Sequence, residues 1–198
     1  MRTTLLCAVA LLGAAPCLAL AADPAKVAAG SYAVEPNHTR ILFSVDHMGF
    51  TNYYGDFTGA SGTLVLKNPE PAGSSLSVSI PTASVSTTNA TLDGELKSAD
   101  WLDAAKFPAI TFKTDAVKQT GPDTAEVTGS LTLHGVTKTV ILSARLHGSG
   151  NNPMSNKATV GFDIAGHIKR SDFGVTKYLP LIGDEVEITI SAAFEKQG

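Results

Sequence analysis

The sequence predicts an all-β fold: an antiparallel barrel of about eight strands with a short helical segment around residues 89–106. Three observations carry this expectation. Eight runs alternate apolar and polar residues with the period of two that a half-buried strand requires. Clusters of Gly, Pro, Asn and Asp separate the runs. Only one stretch departs from this rhythm, and it does so with helical i,i+4 spacing.

The first segment reads as a cleaved leader. Arg2 supplies a positive start, Leu5 to Leu12 form an apolar run, and Ala19-Leu20-Ala21 is an A-x-A cleavage site. The division is therefore a signal peptide over 1–21 and a single domain over 22–198. Both cysteines, Cys7 and Cys17, leave with the leader. The exported chain is then free of cysteine, which excludes thiol catalysis, Cys-zinc sites and disulfide stapling.

The strands follow in order. Ile41, Phe43, Val45 and His47 share one face of Arg40–His47. Residues 63–66 and 76–80 repeat the alternation, the second ending at Pro81, and residues 110–114 follow. Residues 127–134 put Val127, Leu131 and Leu133 together. Residues 140–146, 158–164 and 186–192 complete the set. So many edges must be hidden, and closure into a barrel does this best; a two-sheet sandwich is the alternative. Between the third and fourth runs, Leu92 and Leu96, then Leu102 and Lys106, have helical spacing. Asn89 and Ser98 are read as N-caps of two short helical turns, Gly94 opposes one long helix, and Pro108 ends the segment.

The whole chain has 198 residues, a net charge of −3 and 17% charged residues. Loss of Arg2 with the leader makes the balance more acidic. No basic surplus marks a nucleic-acid partner. The apolar run of the leader is too short to span a bilayer comfortably, so no membrane-spanning segment is expected. The sequence lacks a G-x-S-x-G elbow, a G-x-G-x-x-G strand-helix turn and a P-loop. No two of the five histidines lie at i,i+2 or i,i+4, so no metal site and no catalytic residue is expected. Lys169-Arg170-Ser171-Asp172 is read either as a solvated turn or as an anion site at a barrel rim. Trp101, Phe107 and Phe112 either pack the irregular segment onto the sheet or line the mouth of a cavity.

The order of motifs resembles the YceI-like family. Tyr32-Ala33-Val34-Glu35-Pro36-Asn37-His38-Thr39 begins the match, followed by Ile41 to Phe50 and Gly55-Asp56-Phe57-Thr58-Gly59. Ile80 to Val85, Leu92 to Asp103, Phe107 to Phe112 and Gly129 to Thr137 continue it. Arg170-Ser171-Asp172-Phe173-Gly174 and Gly183 to Ile188 complete it. Two departures stand out: Glu95 replaces a frequent family histidine, and Trp101-Leu102 replaces a Phe-Phe pair.

The resemblance implies a lipocalin-like, polyisoprenoid-binding barrel in the periplasm, commonly a homodimer, with no enzymatic activity and no cofactor. The implied guest is a long-chain isoprenoid or related amphiphile: an isoprenoid quinone, a polyprenyl phosphate or a fatty amide. Alternation nominates Ile41, Phe43, Val45, His47, Phe57, Val78, Ile80, Phe112, Leu131, Leu133, Val160, Phe162 and Phe173 as lining, with Trp101 and Phe107 at the mouth. The alternatives are a small metal- or haem-associated enzyme using barrel histidines, and a structural partner of a membrane redox protein.

Overall fold

The computed structural model describes residues 23–68 and 70–198. The expected signal peptide lies outside the described residues. Among the described residues there are ten strands: β1 (Gly30–Val34), β2 (Arg40–His47), β3 (Thr51–Phe57), β4 (Ser61–Leu66), β5 (Ser75–Pro81), β6 (Ala109–Gln119), β7 (Thr124–Leu133), β8 (Val136–Asn151), β9 (Ala158–Lys169) and β10 (Ile182–Lys196). One helix, α1 (Ala90–Lys97), lies between β5 and β6.

The ten segments make an eight-stranded barrel. β1 and β2 run in the same direction along β10, with Val34 opposite Phe194 and Ile41 opposite Ile190. They form one strand broken at residues 35–39. β3 and β4 run likewise along β2 and β1, with Phe57 opposite Ile41 and Thr63 opposite Ala33. Every neighbour pair is antiparallel, and β1 pairs with both β4 and β10, which closes the ring. The sandwich alternative is therefore excluded.

Each of the eight runs read from the sequence falls in a different barrel strand. The two pieces not anticipated are β1 and β3. β3 carries Tyr53, Gly55 and Phe57 on its inner side, and Gly55 is empty so that a neighbour can fill its place. The Phe43 ring occupies the space that a Cβ on Gly55 would need, 2.4 Å from the nearest ring atom.

Gly129 on β7 makes the same accommodation for Phe112. A Cβ there would lie 2.3 Å from the Phe112 ring and 2.6 Å from the Lys113 carbonyl oxygen. The ring could rotate, but the carbonyl belongs to the β6 ladder and cannot. Gly129→Ala is expected to destabilise the barrel by about 2–3 kcal/mol and lower its melting temperature by about 5–10 °C. Thermal denaturation followed by circular dichroism measures this.

Two apolar clusters fill the barrel at different heights. One gathers Ile80, Ile110, Phe112, Leu133, Val140, Ile168 and Phe173. The other gathers Tyr32, Leu64, Leu146, Val160, Ala192 and Phe194 around the opposite end. The first cluster lies toward the end where β2, β5, β7 and β9 finish. That end carries the turn at 48–50, the long 82–108 connection and the 170–181 loop.

The 82–108 connection holds a single α-helix. Asn89 caps it as expected, its Oδ1 accepting from the Thr91 and Leu92 amides at 3.1 and 3.3 Å. Asp93 ties the helix to the preceding loop by accepting from the Thr87 amide (2.6 Å) and hydroxyl (2.7 Å). α1 runs through Gly94, which is exposed. Ser98 is not an N-cap: it ends α1, and its carbonyl accepts from the Trp101 and Asp103 amides in a run of turns. With only four residues between Ser98 and Asp103, that run tucks Trp101 back toward α1 and forms no second helix.

Candidate functional site

A cavity of about 620 Å³ occupies the barrel between the two ends. Its wall is almost wholly apolar because most inward positions on the eight strands are Val, Ile, Leu, Phe or Ala. From β2 come Ile41, Phe43, Val45 and His47, and from β3 Tyr53 and Phe57. β5 supplies Val78 and Ile80, β6 Phe112, and β7 Leu131 and Leu133. Trp101 reaches the wall from the 82–108 connection. The wall also takes in positions that alternation places on strand faces without nominating them for binding: Val186, Ile188 and Ile190 on β10, and Val140, Leu142 and Ala144 on β8.

Four nominated positions lie off this wall. Val160 and Phe162 point inward as their alternation demands, but at the far end. There Val160 is buried in the second cluster and Phe162 packs edge-on against Phe194 at 6.1 Å. Phe162 borders a separate space of about 140 Å³ with Val27, Leu66 and Leu146. Phe173 is packed solidly into the first cluster, and its carbonyl is bonded to His134 Nδ1 at 3.0 Å. Phe107 lies across the β7–β8 turn, against Gly135 and edge-on to His134 at 5.1 Å. Alternation sets which way a residue faces. It does not set its height in the barrel, and height separates these residues from the cavity.

The histidine alternative also meets geometry. His47 is on the cavity wall, whereas His134 is held outside it by Phe107 and Phe173. No group of three or more His, Cys, Asp or Glu able to hold a metal ion occurs among the described residues.

The mouth is built around Arg170. It is neither a solvated turn residue nor a rim anion site, since only 5% of it is exposed. Its guanidinium donates to four backbone carbonyls: Gly183 (2.8 Å), Val175 (2.9 Å), Lys177 (2.9 Å) and Ile182 (2.8 Å). One charged fork thereby fixes the whole 174–183 segment. The Trp101 ring covers the guanidinium at 5.3 Å and meets Tyr178 edge-on at 6.0 Å. Burial pulls the Arg170 pKa down, and the nearby Asp184 carboxylate opposes that pull.

Glu95 and Trp101, the two departures from the family pattern, touch each other. Trp101 Nε1 donates to Glu95 Oε1 at 3.2 Å. Lys177 lies 3.9 Å from the same carboxylate and 2.7 Å from Asp100 Oδ2. These contacts join α1 and the following turns to the 174–181 loop across the mouth.

Asp184 secures the other side, accepting from the Ser171 amide at 2.9 Å and hydroxyl at 2.7 Å. These bonds, the hydroxyl first, hold its pKa below the usual value. A carboxylate depressed in the folded state contributes stability that is complete above its unfolded pKa, about 3.9, and lost as pH falls through the lower folded value. Glu195, depressed mainly by the Ser155 hydroxyl, acts in the same direction. The urea midpoint is therefore expected to hold level from neutral pH to about 5 and fall below about 4. Asp184→Asn should flatten part of that fall.

The sequence of this barrel matches the YceI-like domain over residues 32–194. The chain belongs to the YceI-like family. Among its YceI-like relatives, Protein YceI of Salmonella arizonae is 41% identical over 157 residues, covering 79% of this chain and 81% of the relative. Solved structures share the architecture. BcnA of Burkholderia cenocepacia aligns with a TM-score of 0.73 at 26% identity, over 81% of this chain and 98% of that one. The Campylobacter jejuni YCEI protein aligns at 0.67 and 29%, over 77% and 90%. A polyisoprenoid-binding domain from Saccharophagus degradans aligns at 0.65 and 16% identity, over 84% and 98%, a likeness of fold. No helix among the described residues is long and apolar enough to cross a membrane.

Proposed function

We propose that this protein binds one long-chain isoprenoid or related amphiphilic lipid inside the barrel, as a non-enzymatic carrier or store in the periplasm. The guest is an isoprenoid quinone, a polyprenyl phosphate or a fatty amide. The observation that carries this reading is the apolar cavity of about 620 Å³, within the range of about 300–1,000 Å³ typical of small-molecule sites. Each methylene moved from water into such a wall contributes about 0.8 kcal/mol, so a long chain needs few polar contacts. The polar groups on the wall include His47, Tyr53, Glu95 and Tyr178 near the mouth, where a head group would be oriented.

Family membership supports the reading, and the Saccharophagus degradans domain shows that a polyisoprenoid-binding protein is built on this fold. Assembly as a homodimer belongs to the same proposal. Competition for a fluorescent fatty-chain probe tests the binding claim. Farnesol and geranylgeraniol should displace the probe, the longer chain at lower concentration, and glycerol should not. A probe that never binds, or equal displacement by glycerol, overturns it.

A further inference from the structure

The cavity mouth carries large apolar side chains that nothing among the described residues covers. Phe50 is 84% exposed, and Met48, Tyr178 and Leu181 are between 48% and 60% exposed. They come from two loops joined by a hydrogen bond from the Met48 amide to the Leu181 carbonyl at 2.9 Å. Met48, Tyr178 and Leu181 also belong to the cavity wall, so the apolar interior runs without a break onto this rim.

Both loops are held in place. The 47–50 turn has positive φ at Met48 (60°) and Gly49 (72°), the backbone form of a type I′ turn. Asp46 Oδ1 accepts from the Gly49 amide at 2.8 Å, and the Phe50 amide donates to the His47 carbonyl at 3.1 Å. The second loop is the one clamped by Arg170. The outward side chains are thus presented by fixed backbone.

We propose that the mouth docks onto a lipid bilayer surface, with Phe50 as leading anchor, so that the guest passes between membrane and cavity without crossing water. This inference rests on the cavity being a lipid site. The unbroken run of apolar wall from cavity to rim favours a bilayer over a second copy of the chain, because a bilayer is the occupant that could exchange a lipid guest with the cavity directly. Large side chains bury about 150–250 Å² each, so four partly exposed ones offer roughly 400–500 Å². That is within the range of about 300–600 Å² for the largest apolar patch of a typical monomer, which is often functional, and aromatic side chains sit readily at the headgroup level.

The test compares wild type with Phe50→Ser and Phe50→Trp, since Phe50 lies outside the cavity wall. All three share the same N-terminus, so differences read only the mouth. They are sedimented with vesicles of equal parts phosphatidylethanolamine and phosphatidylglycerol. Phe50→Ser should lower partitioning about tenfold, and Phe50→Trp should match or exceed wild type. Farnesol binding without vesicles should be unchanged in both variants. Equal partitioning of wild type and Phe50→Ser, or none by wild type, overturns the proposal. So does a shift from dimer to monomer in Phe50→Ser by sedimentation velocity without a change in vesicle binding, which assigns the patch to a second copy. Failure of wild type to bind farnesol overturns instead the lipid-site reading beneath it.

Discussion

Arg170→Met is expected to melt about 10–15 °C below wild type and to loosen the barrel mouth before the barrel itself unfolds. The guanidinium serves four carbonyls from a nearly fully buried position. Hydrogen bonds to a charged group contribute about 1.5–3 kcal/mol each. Part is recovered where the freed carbonyls of the loop turn to water, leaving a net loss of about 4 kcal/mol. Methionine keeps the apolar stem beneath Trp101 and supplies no donor. Arg170→Lys keeps the charge, but a compact ammonium cannot span carbonyls arranged for a planar fork, so it should recover less than half of the loss. Trp101 is the chain's only tryptophan and lies directly over the guanidinium. Its emission should shift to the red at temperatures where circular dichroism still shows intact sheet. An unchanged melting temperature would mean that water replaces Arg170 at little cost.

The second large effect is on binding. Leu131→Trp on β7 and Ile188→Trp on β10 place two indoles in the cavity from strands three apart in the ring. The open volume accepts them without forcing the strands apart, so the fold should survive with a modest loss. Together they exclude several methylenes of any guest. At about 0.8 kcal/mol for each, loss of four or five weakens binding a few hundredfold. Displacement of the fatty-chain probe measures this, with circular dichroism confirming the barrel. Undiminished affinity would move the binding site out of the cavity.

Most of the architecture was legible because alternation and turn chemistry both act locally. Ile188 and Ile190 on β10 declare their face by themselves, and so do Leu131 and Leu133 on β7. β3 was illegible because its inner face is completed from elsewhere: Gly55 makes sense only with the Phe43 ring lying over it. Val160 and Phe162 show a second limit. Their facing was readable, but whether an inward residue meets open space or a plug depends on Tyr32, Leu64 and Phe194, which come from other strands. Arg170 shows a third. In sequence Lys169-Arg170-Ser171-Asp172 is a charged turn. Its burial comes from Trp101, far away in the chain, and from a loop that supplies carbonyls. Glu95 and Trp101 read as two separate departures from a family pattern until their hydrogen bond joined them.

Native mass spectrometry of the protein purified from its own host, without detergent, tests the central claim most directly. The account predicts a population heavier than the bare chain by the mass of one isoprenoid or fatty-chain lipid. That mass should be released by solvent extraction and absent from the Leu131→Trp, Ile188→Trp double variant. A bare chain throughout, with no uptake after incubation with geranylgeraniol, would contradict it.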